Sequence, residues 1–234
     1  MPSIVFASPK GGAGKSTSAV LLATELANSG ATVTLIDADP NKPVSRWAKK
    51  PGKPASLTVI ADVDEETITG QIKDARAKSQ FVIVDLEGTA SAMVTFAIGM
   101  ANLVIVPTQG SQLDAAEAVR AIKLVRNTEA SRDGMKIPAA VLFTRTNAAI
   151  ETRDLKEIRA QFTGNGIPVF DTQIVERAAY RALFSYGGTL KTLDAKDVSG
   201  IAAALTNARA FAGEVIGLLK QNEAPASIKQ AKVA

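Results

Sequence analysis

The chain has 234 residues, 46% of them apolar and 21% charged, with a formal net charge of +4 and neither cysteine nor histidine. Without cysteine there is no disulfide scaffold, thiolate metal site or thiol nucleophile; without histidine there is no imidazole base, Ser-His-Asp triad or imidazole metal ligand. Any catalysis must run on carboxylates, lysines, hydroxyls and backbone amides, and any metal must be a hard cation such as Mg²⁺ held by oxygen.

In chain order, short β-branched runs alternate with longer helical ones. The spacing predicts a buried strand over 3–7, a helix over 14–29, strands over 32–36 and 57–61, and a polar helix over 65–78 with Ile68 and Ile72 facing inward. Apolar strands follow over 81–84 and 103–106, then a helix over 113–128, a strand over 139–143, a helix over 152–162 and a short strand over 169–170. Helices over 176–184 and 198–220 complete the pattern. Strands that are apolar throughout, separated by amphipathic helices, imply an α/β fold: a mainly parallel twisted sheet with helices on both faces. No linker or repeat divides the chain, so residues 1–221 read as a single domain and the small, polar residues 222–234 as a flexible C-terminal tail. The start lacks the regions of a signal peptide, and no stretch is apolar enough to span a membrane, so a cytoplasmic location is expected.

The strongest signal is Ser8-Pro9-Lys10-Gly11-Gly12-Ala13-Gly14-Lys15-Ser16-Thr17, between a predicted strand and a predicted helix. Glycines let backbone N–H groups turn toward an anion, and a helix N-terminus adds positive potential. In a phosphate loop, Gly11, Gly12, Ala13 and Gly14 would cradle the phosphates and Lys15 would reach the terminal ones. Ser16 would offer its hydroxyl to Mg²⁺, and Thr17 would contact the α-phosphate. The apolar run Phe81-Val82-Ile83-Val84 leads into Asp85, placed to bind Mg²⁺ through water. Asp37 and Asp39 alternate beyond the second strand, on one side of the chain if it stays extended.

Pro9 stands where the general phosphate loop has its first glycine, and Lys10 precedes Gly11-Gly12. This resembles the deviant Walker A motif of the ParA/MinD family of ATPases. Asp37-Ala38-Asp39-Pro40 through Ser45 and Trp47 is similar to a further family stretch. So are Val106-Pro107 with Ser111 and Asp114, and Arg177-Ala178-Ala179-Tyr180 before Gly187-Gly188-Thr189. The resemblance runs through most of residues 3–220 and implies a P-loop NTPase fold. Total size and loop position are closest to the short, ParF-like partition ATPases, which leaves no room for an N-terminal reader of DNA sequence.

The resemblance implies ATP or ADP with Mg²⁺ as cofactors, and the absence of an Asn-Lys-x-Asp guanine motif agrees. It implies that Lys10 acts in trans across an ATP-bound homodimer. Asp37 would help hold the metal through water, and Asp39 would position the attacking water, a role no histidine can take here. Arg145, in Thr144-Arg145-Thr146-Asn147, would contact the base. Leu86-Glu87-Gly88 departs from the small or proline-containing switch of the family, although Gly88 still offers its N–H to a γ-phosphate.

The implied function is weak, partner-stimulated ATP hydrolysis. The ATP-bound dimer would bind nonspecific DNA, become nucleoid-associated and, with a ParB-like centromere-binding partner, segregate or position plasmid or chromosomal DNA. The alternatives are a MinD-like membrane-associated positioning ATPase, an accessory ATPase for conjugative DNA transfer, and an amide-forming ligase similar to dethiobiotin synthetase. Lys42, Arg46, Lys49, Lys50 and Lys53 read either as a solvated loop or as part of a polyanion surface. Arg177, Arg181, Lys191, Arg209, Lys220, Lys229 and Lys232 are further candidates for that surface. The stripe Ile201, Leu205, Ala208, Ala212, Val215 and Leu219 reads as a core-packing face. Residues 224–234, with only Ile228 and Val233 as larger apolar side chains, offer no stable membrane anchor.

Overall fold

The computed structural model describes residues 1–88, 91–148 and 150–223. The first eight elements are β1 (Ser3–Phe6), α1 (Lys15–Asn28), β2 (Val33–Ala38), α2 (Pro43–Ala48), β3 (Leu57–Ile60), α3 (Ile68–Lys78), β4 (Phe81–Leu86) and α4 (Ala92–Gly99). They are followed by β5 (Leu103–Thr108), α5 (Gln112–Ala130), β6 (Ala139–Thr146), α6 (Arg153–Gly164), β7 (Ile174–Val175), α7 (Ala178–Tyr186) and α8 (Ile201–Glu223).

The strands form one parallel seven-stranded sheet in the order β3-β2-β4-β1-β5-β6-β7. Every residue of β1, β2 and β5 is buried, as expected of strands covered on both faces. One face packs against Leu21 and Leu22 of α1, Trp47 of α2, Leu183 of α7 and Phe211 of α8. The other packs against Ile72 of α3, Ile98 of α4, Val125 of α5 and Ile158 of α6. The expected α/β architecture is the one observed, with β1 at its centre and the phosphate loop leaving its C-terminal end.

Some local expectations need correction. Residues 169–170 make only an isolated bridge, Val169 to Val141, and the seventh strand is Ile174–Val175. The Glu214 carboxylate accepts the N–H groups of Asp171 and Thr172 at 2.7 and 2.8 Å, so those amides are taken before pairing with β6 resumes. The helix expected from 176 begins at Ala178 and runs to Tyr186. Helices α2 and α4 have only six and eight residues, too few to show a helical period. Asn222 and Glu223, expected in the tail, continue α8. Residues 224–234, including Lys229 and Lys232, lie outside the described residues.

The apolar stripe of α8 turns inward. Ala208, Ala212, Val215 and Leu219 are buried in the core shared with α1, joined by Ala204 and Phe211, and Ile201 and Leu205 pack at its edge. Among the described residues no helix is long and apolar enough to cross a membrane.

Candidate nucleotide-binding site

The loop from β1 to α1 depends on glycine at two points. Gly12 has φ 77° and Gly14 has φ 95°, left-handed conformations that side chains disfavour. A Cβ on Gly14 would also come within 3.2 Å of the Thr144 side chain. The Thr144 hydroxyl donates to the Ala13 carbonyl at 2.7 Å, and the Gln109 amide donates to the Gly12 carbonyl at 3.1 Å. The loop is therefore fastened from β6 and from the end of β5. The first turn of α1 carries no acid, so its free N–H groups and dipole remain available to an anion.

Lys15 is 6% exposed, and its ammonium donates to the carbonyls of Ser8 and Lys10, both at 3.2 Å. Burial pulls this ammonium below its ordinary pKa, while the carboxylates of Asp85, Asp39 and Glu87 act to raise it.

Two acids meet on adjacent strands. The sheet register sets Asp37 beside Asp85, and Asp85 beside Phe6, the last residue of β1. Both carboxylates are 0% exposed. Asp37 Oδ2 accepts the N–H of Ser45 at 2.7 Å and its hydroxyl at 2.6 Å. Among the described residues, Asp37 Oδ1 and both oxygens of Asp85 are buried with no hydrogen-bond partner of full geometry. Unpartnered buried carboxylate oxygens are costly. Three of them together, near the Ser16 hydroxyl, fit a hard divalent cation. Among the described residues no cluster of three acidic side chains is available for a metal. Ser16, Asp37 and Asp85 therefore suit a cation that arrives with ligand oxygens of its own.

Burial, reinforced by the charges of Asp37 and Asp39, pushes the Asp85 carboxyl up to about 7 against the Ser16 hydroxyl and the Lys15 ammonium. A carboxylate raised in the fold destabilises it as pH climbs from about 4, where the unfolded group ionises, to about 7, where the folded group does. Without nucleotide and cation, Asp85→Asn is expected to raise stability by up to about 4 kcal/mol near pH 8. Below about pH 4 only the difference between two neutral groups should remain. Urea melts at the two pH values test this, and a pH-independent difference contradicts it.

Asp39 parts from Asp37. The strand stops at Ala38, Pro40 offers no N–H for pairing, and the Asn41 N–H closes a tight turn on Asp39 Oδ1 at 2.8 Å. The two acids therefore do not share the extended side the alternation predicted. Asp39 is half-buried on an open groove of about 350 Å³, which Lys15, Ser16, Gly88 and Arg145 also line. Gly88 is pressed against the loop: a Cβ there would lie 3.2 Å from the Pro9 carbonyl and 3.3 Å from the Gly11 nitrogen. Glu87 lines the same groove. Arg145, with φ 52°, sits between this groove and a second cavity of about 340 Å³ that shares Gly14 and Thr17 with it. Ile174, Tyr180 and Phe184 wall that cavity, and Glu176 pairs with Arg145 at 3.9 Å.

Lys10 points elsewhere. Its ammonium is paired with Asp114 at the start of α5. Asp114 also accepts the Ser111 hydroxyl at 2.6 Å and returns its own N–H to that hydroxyl at 3.2 Å, capping the helix. Burial would raise the Asp114 carboxyl, but the bonds from Lys10 and Ser111 hold it below the usual carboxylate range.

The run of basic residues resolves unevenly. Lys42 donates to the carbonyls of Asp37 and Ala61, Lys50 to Phe184 and Ser185, and Lys53 to Leu57. Three of the five thus staple backbone, and Arg46 and Lys49 are left exposed with no ion pair among the described residues. Arg181 pairs with Glu176, and Arg209 with Glu25 at 3.6 Å.

The family model described as VirC1 protein matches residues 1–218. The chain belongs to the VirC1 protein family. This VirC1-family chain is 43% identical over 212 residues to Protein ParA of Rhizobium radiobacter, covering 91% of this chain and 95% of that protein. It is 28% identical over 192 residues to Protein virC1 of the same organism, covering 80% and 82%. With these relatives it falls in the ParA/MinD group that its loop resembles. Its fold matches apo McdA of Cyanothece at a TM-score of 0.71 and 18% identity, covering 89% of this chain and 99% of that one. It matches the ATP complex of an Asp-to-Ala McdA variant at 0.69 and 18%, covering 92% and 96%. It also matches the septum site-determining protein MinD of Pyrococcus horikoshii OT3, complexed with Mg-ADP, at 0.70 and 15%, covering 96% and 99%. The fold of this VirC1-family chain is the P-loop NTPase fold of those proteins.

Proposed function

We propose that this VirC1-family chain hydrolyses ATP weakly, stimulated by a partner, and works as a nucleotide-switched homodimer. In the ATP-bound state it binds DNA without sequence preference and, with a ParB-like centromere-binding partner, segregates or positions plasmid or chromosomal DNA. It would then be cytoplasmic and, with ATP, nucleoid-associated. The observation that carries the reading is the set of Asp37 and Asp85 oxygens that lack a hydrogen-bond partner among the described residues, beside a phosphate loop whose own lysine bonds there only to carbonyls.

The residues divide the work. Lys15 exchanges the carbonyls of Ser8 and Lys10 for nucleotide phosphates, and the loop amides and the N-terminus of α1 take the remaining phosphate oxygens. Ser16, Asp37 and Asp85 would hold Mg²⁺, which when bound neutralises phosphate charge. Asp39, on the open groove, orients the water that attacks the γ-phosphate as ADP leaves, and the Gly88 N–H would donate to that γ-phosphate. The cavity between β7 and α7 takes the adenine, with Arg145 at its mouth. Exposed cations such as Arg46 and Lys49, doubled in the dimer, contribute phosphate contacts to DNA.

Lys10 would exchange Asp114 for the phosphates of the partner subunit. Lys10→Ala is therefore expected to bind Mg-ADP as the wild type does yet remain monomeric with ATP. Light scattering with each nucleotide tests this, and a Lys10→Ala protein that still dimerises with ATP contradicts it.

A further inference from the structure

We infer that Ser45 is a positioning residue that orients Asp37 for the divalent cation and carries occupancy of that position into α2. The inference rests on the nucleotide-binding reading above. Asp37 is fully buried, and the donors to its satisfied oxygen are the N–H and the hydroxyl of one residue, Ser45. Two donors converging on Oδ2 fix the rotation of the carboxylate, which leaves Oδ1 as the oxygen open to a cation. The backbone of Asp37 is gripped as well: its carbonyl accepts the Lys42 ammonium at 3.1 Å. Lys42 itself holds a left-handed φ of 48° just before α2, and its N–H closes on the Asp39 carbonyl at 2.9 Å. Residues 39–45 therefore wrap Asp37 from both ends.

Helix α2 extends that grip toward the opposite wall of the nucleotide site. Two residues beyond Ser45, the Trp47 side chain is 1% exposed, and its indole N–H donates to the Gly188 carbonyl at 3.1 Å. Lys50, just past the helix, donates to the carbonyls of Phe184 and Ser185 at the end of α7. Phe184 walls the second cavity. A rotation of the Asp37 carboxylate would thus reach α2 through two short hydrogen bonds, and α2 is bonded to the segment that closes the base side. The bare alternative is that Asp37 only caps α2, which has no side-chain cap from its own N-cap residue. In that case Ser45 would matter to folding and not to cation affinity.

The test uses the full chain loaded with ADP and titrated with Mg²⁺. Trp47 is the sole tryptophan, so intrinsic fluorescence reports on α2 directly. Isothermal titration calorimetry gives the cation affinity in parallel. Wild type should change its fluorescence on Mg²⁺ addition. In Ser45→Ala the Mg²⁺ half-saturation should rise about tenfold and the fluorescence response should disappear, while ADP binding without Mg²⁺ stays unchanged. Ser45→Thr, which keeps the hydroxyl, should behave as wild type. The role of Ser45 is overturned if Ser45→Ala titrates as wild type, if it loses Mg²⁺-free ADP binding to the same extent, or if Ser45→Thr is no better than Ser45→Ala. A wild type that binds ADP but does not respond to Mg²⁺ overturns the cation role of Asp37 and with it that of Ser45, whereas a wild type that binds no ADP overturns the nucleotide reading itself, which separates the two failures.

Discussion

Lys15→Ala is expected to weaken binding of both ATP and ADP by about two to three orders of magnitude, the effect of removing one preorganised charged donor from a dry site. The size follows from where the ammonium sits. It is 6% exposed and, among the described residues, bonded only to the carbonyls of Ser8 and Lys10, with no ion pair on its own nitrogen. Three carboxylates, Asp85, Asp39 and Glu87, are near enough to influence it. A phosphate chain entering that acidic neighbourhood without Lys15 would meet net repulsion. The fold should survive, because the loop is also held through Thr144 and Gln109. Fluorescent-nucleotide titration alongside a thermal melt checks this, and a well-folded Lys15→Ala protein with wild-type affinity contradicts the loop assignment.

Asp39→Ala should have the opposite signature: nucleotide binding kept, turnover lowered by about 10² or more, the usual loss when a positioned water-orienting group is removed. The separation of Asp39 from Asp37 is the reason. Asp37 is buried and tied to Ser45, whereas Asp39 lies past the strand end on the open groove, its orientation fixed by the Asn41 N–H. Its removal takes no hydrogen bond from the phosphate loop or from the buried pair among the described residues, and loses only its charge near Lys15 and Asp85. Single-turnover hydrolysis set against equilibrium ATP binding separates the two effects. Undiminished turnover removes Asp39 from the chemistry, and lost binding assigns it to the nucleotide instead.

Much of this arrangement was readable along the chain, because its signals are local. Buried parallel strands show as continuous apolar runs, and Gly12 and Gly14 sit at positions where backbone conformation demands glycine. Asp85 follows an apolar run near the end of β4, and the parallel register then brings Asp37 beside it. Contacts that join distant segments left no such trace. Lys10 and Asp114 are 104 residues apart, and no local pattern in the chain pairs them. Glu176, which holds both Arg145 and Arg181, has no pattern that announces it. The basic run left two readings open for a physical reason: a lysine's flexible stem lets its charge cap a carbonyl as readily as face solvent. Lys42, Lys50 and Lys53 do the former. Ser45 belongs to a six-residue helix with no periodic signal, so its grip on Asp37 leaves no trace in the spacing of the chain.

The most direct measurement is sedimentation of the full chain with a nonspecific DNA duplex, in Mg-ATP, in Mg-ADP and without nucleotide. The expected result is a dimer that carries DNA in ATP alone, with monomer and free duplex in the other two conditions. DNA binding by the monomer with equal affinity in all three conditions would contradict the nucleotide-switched dimer.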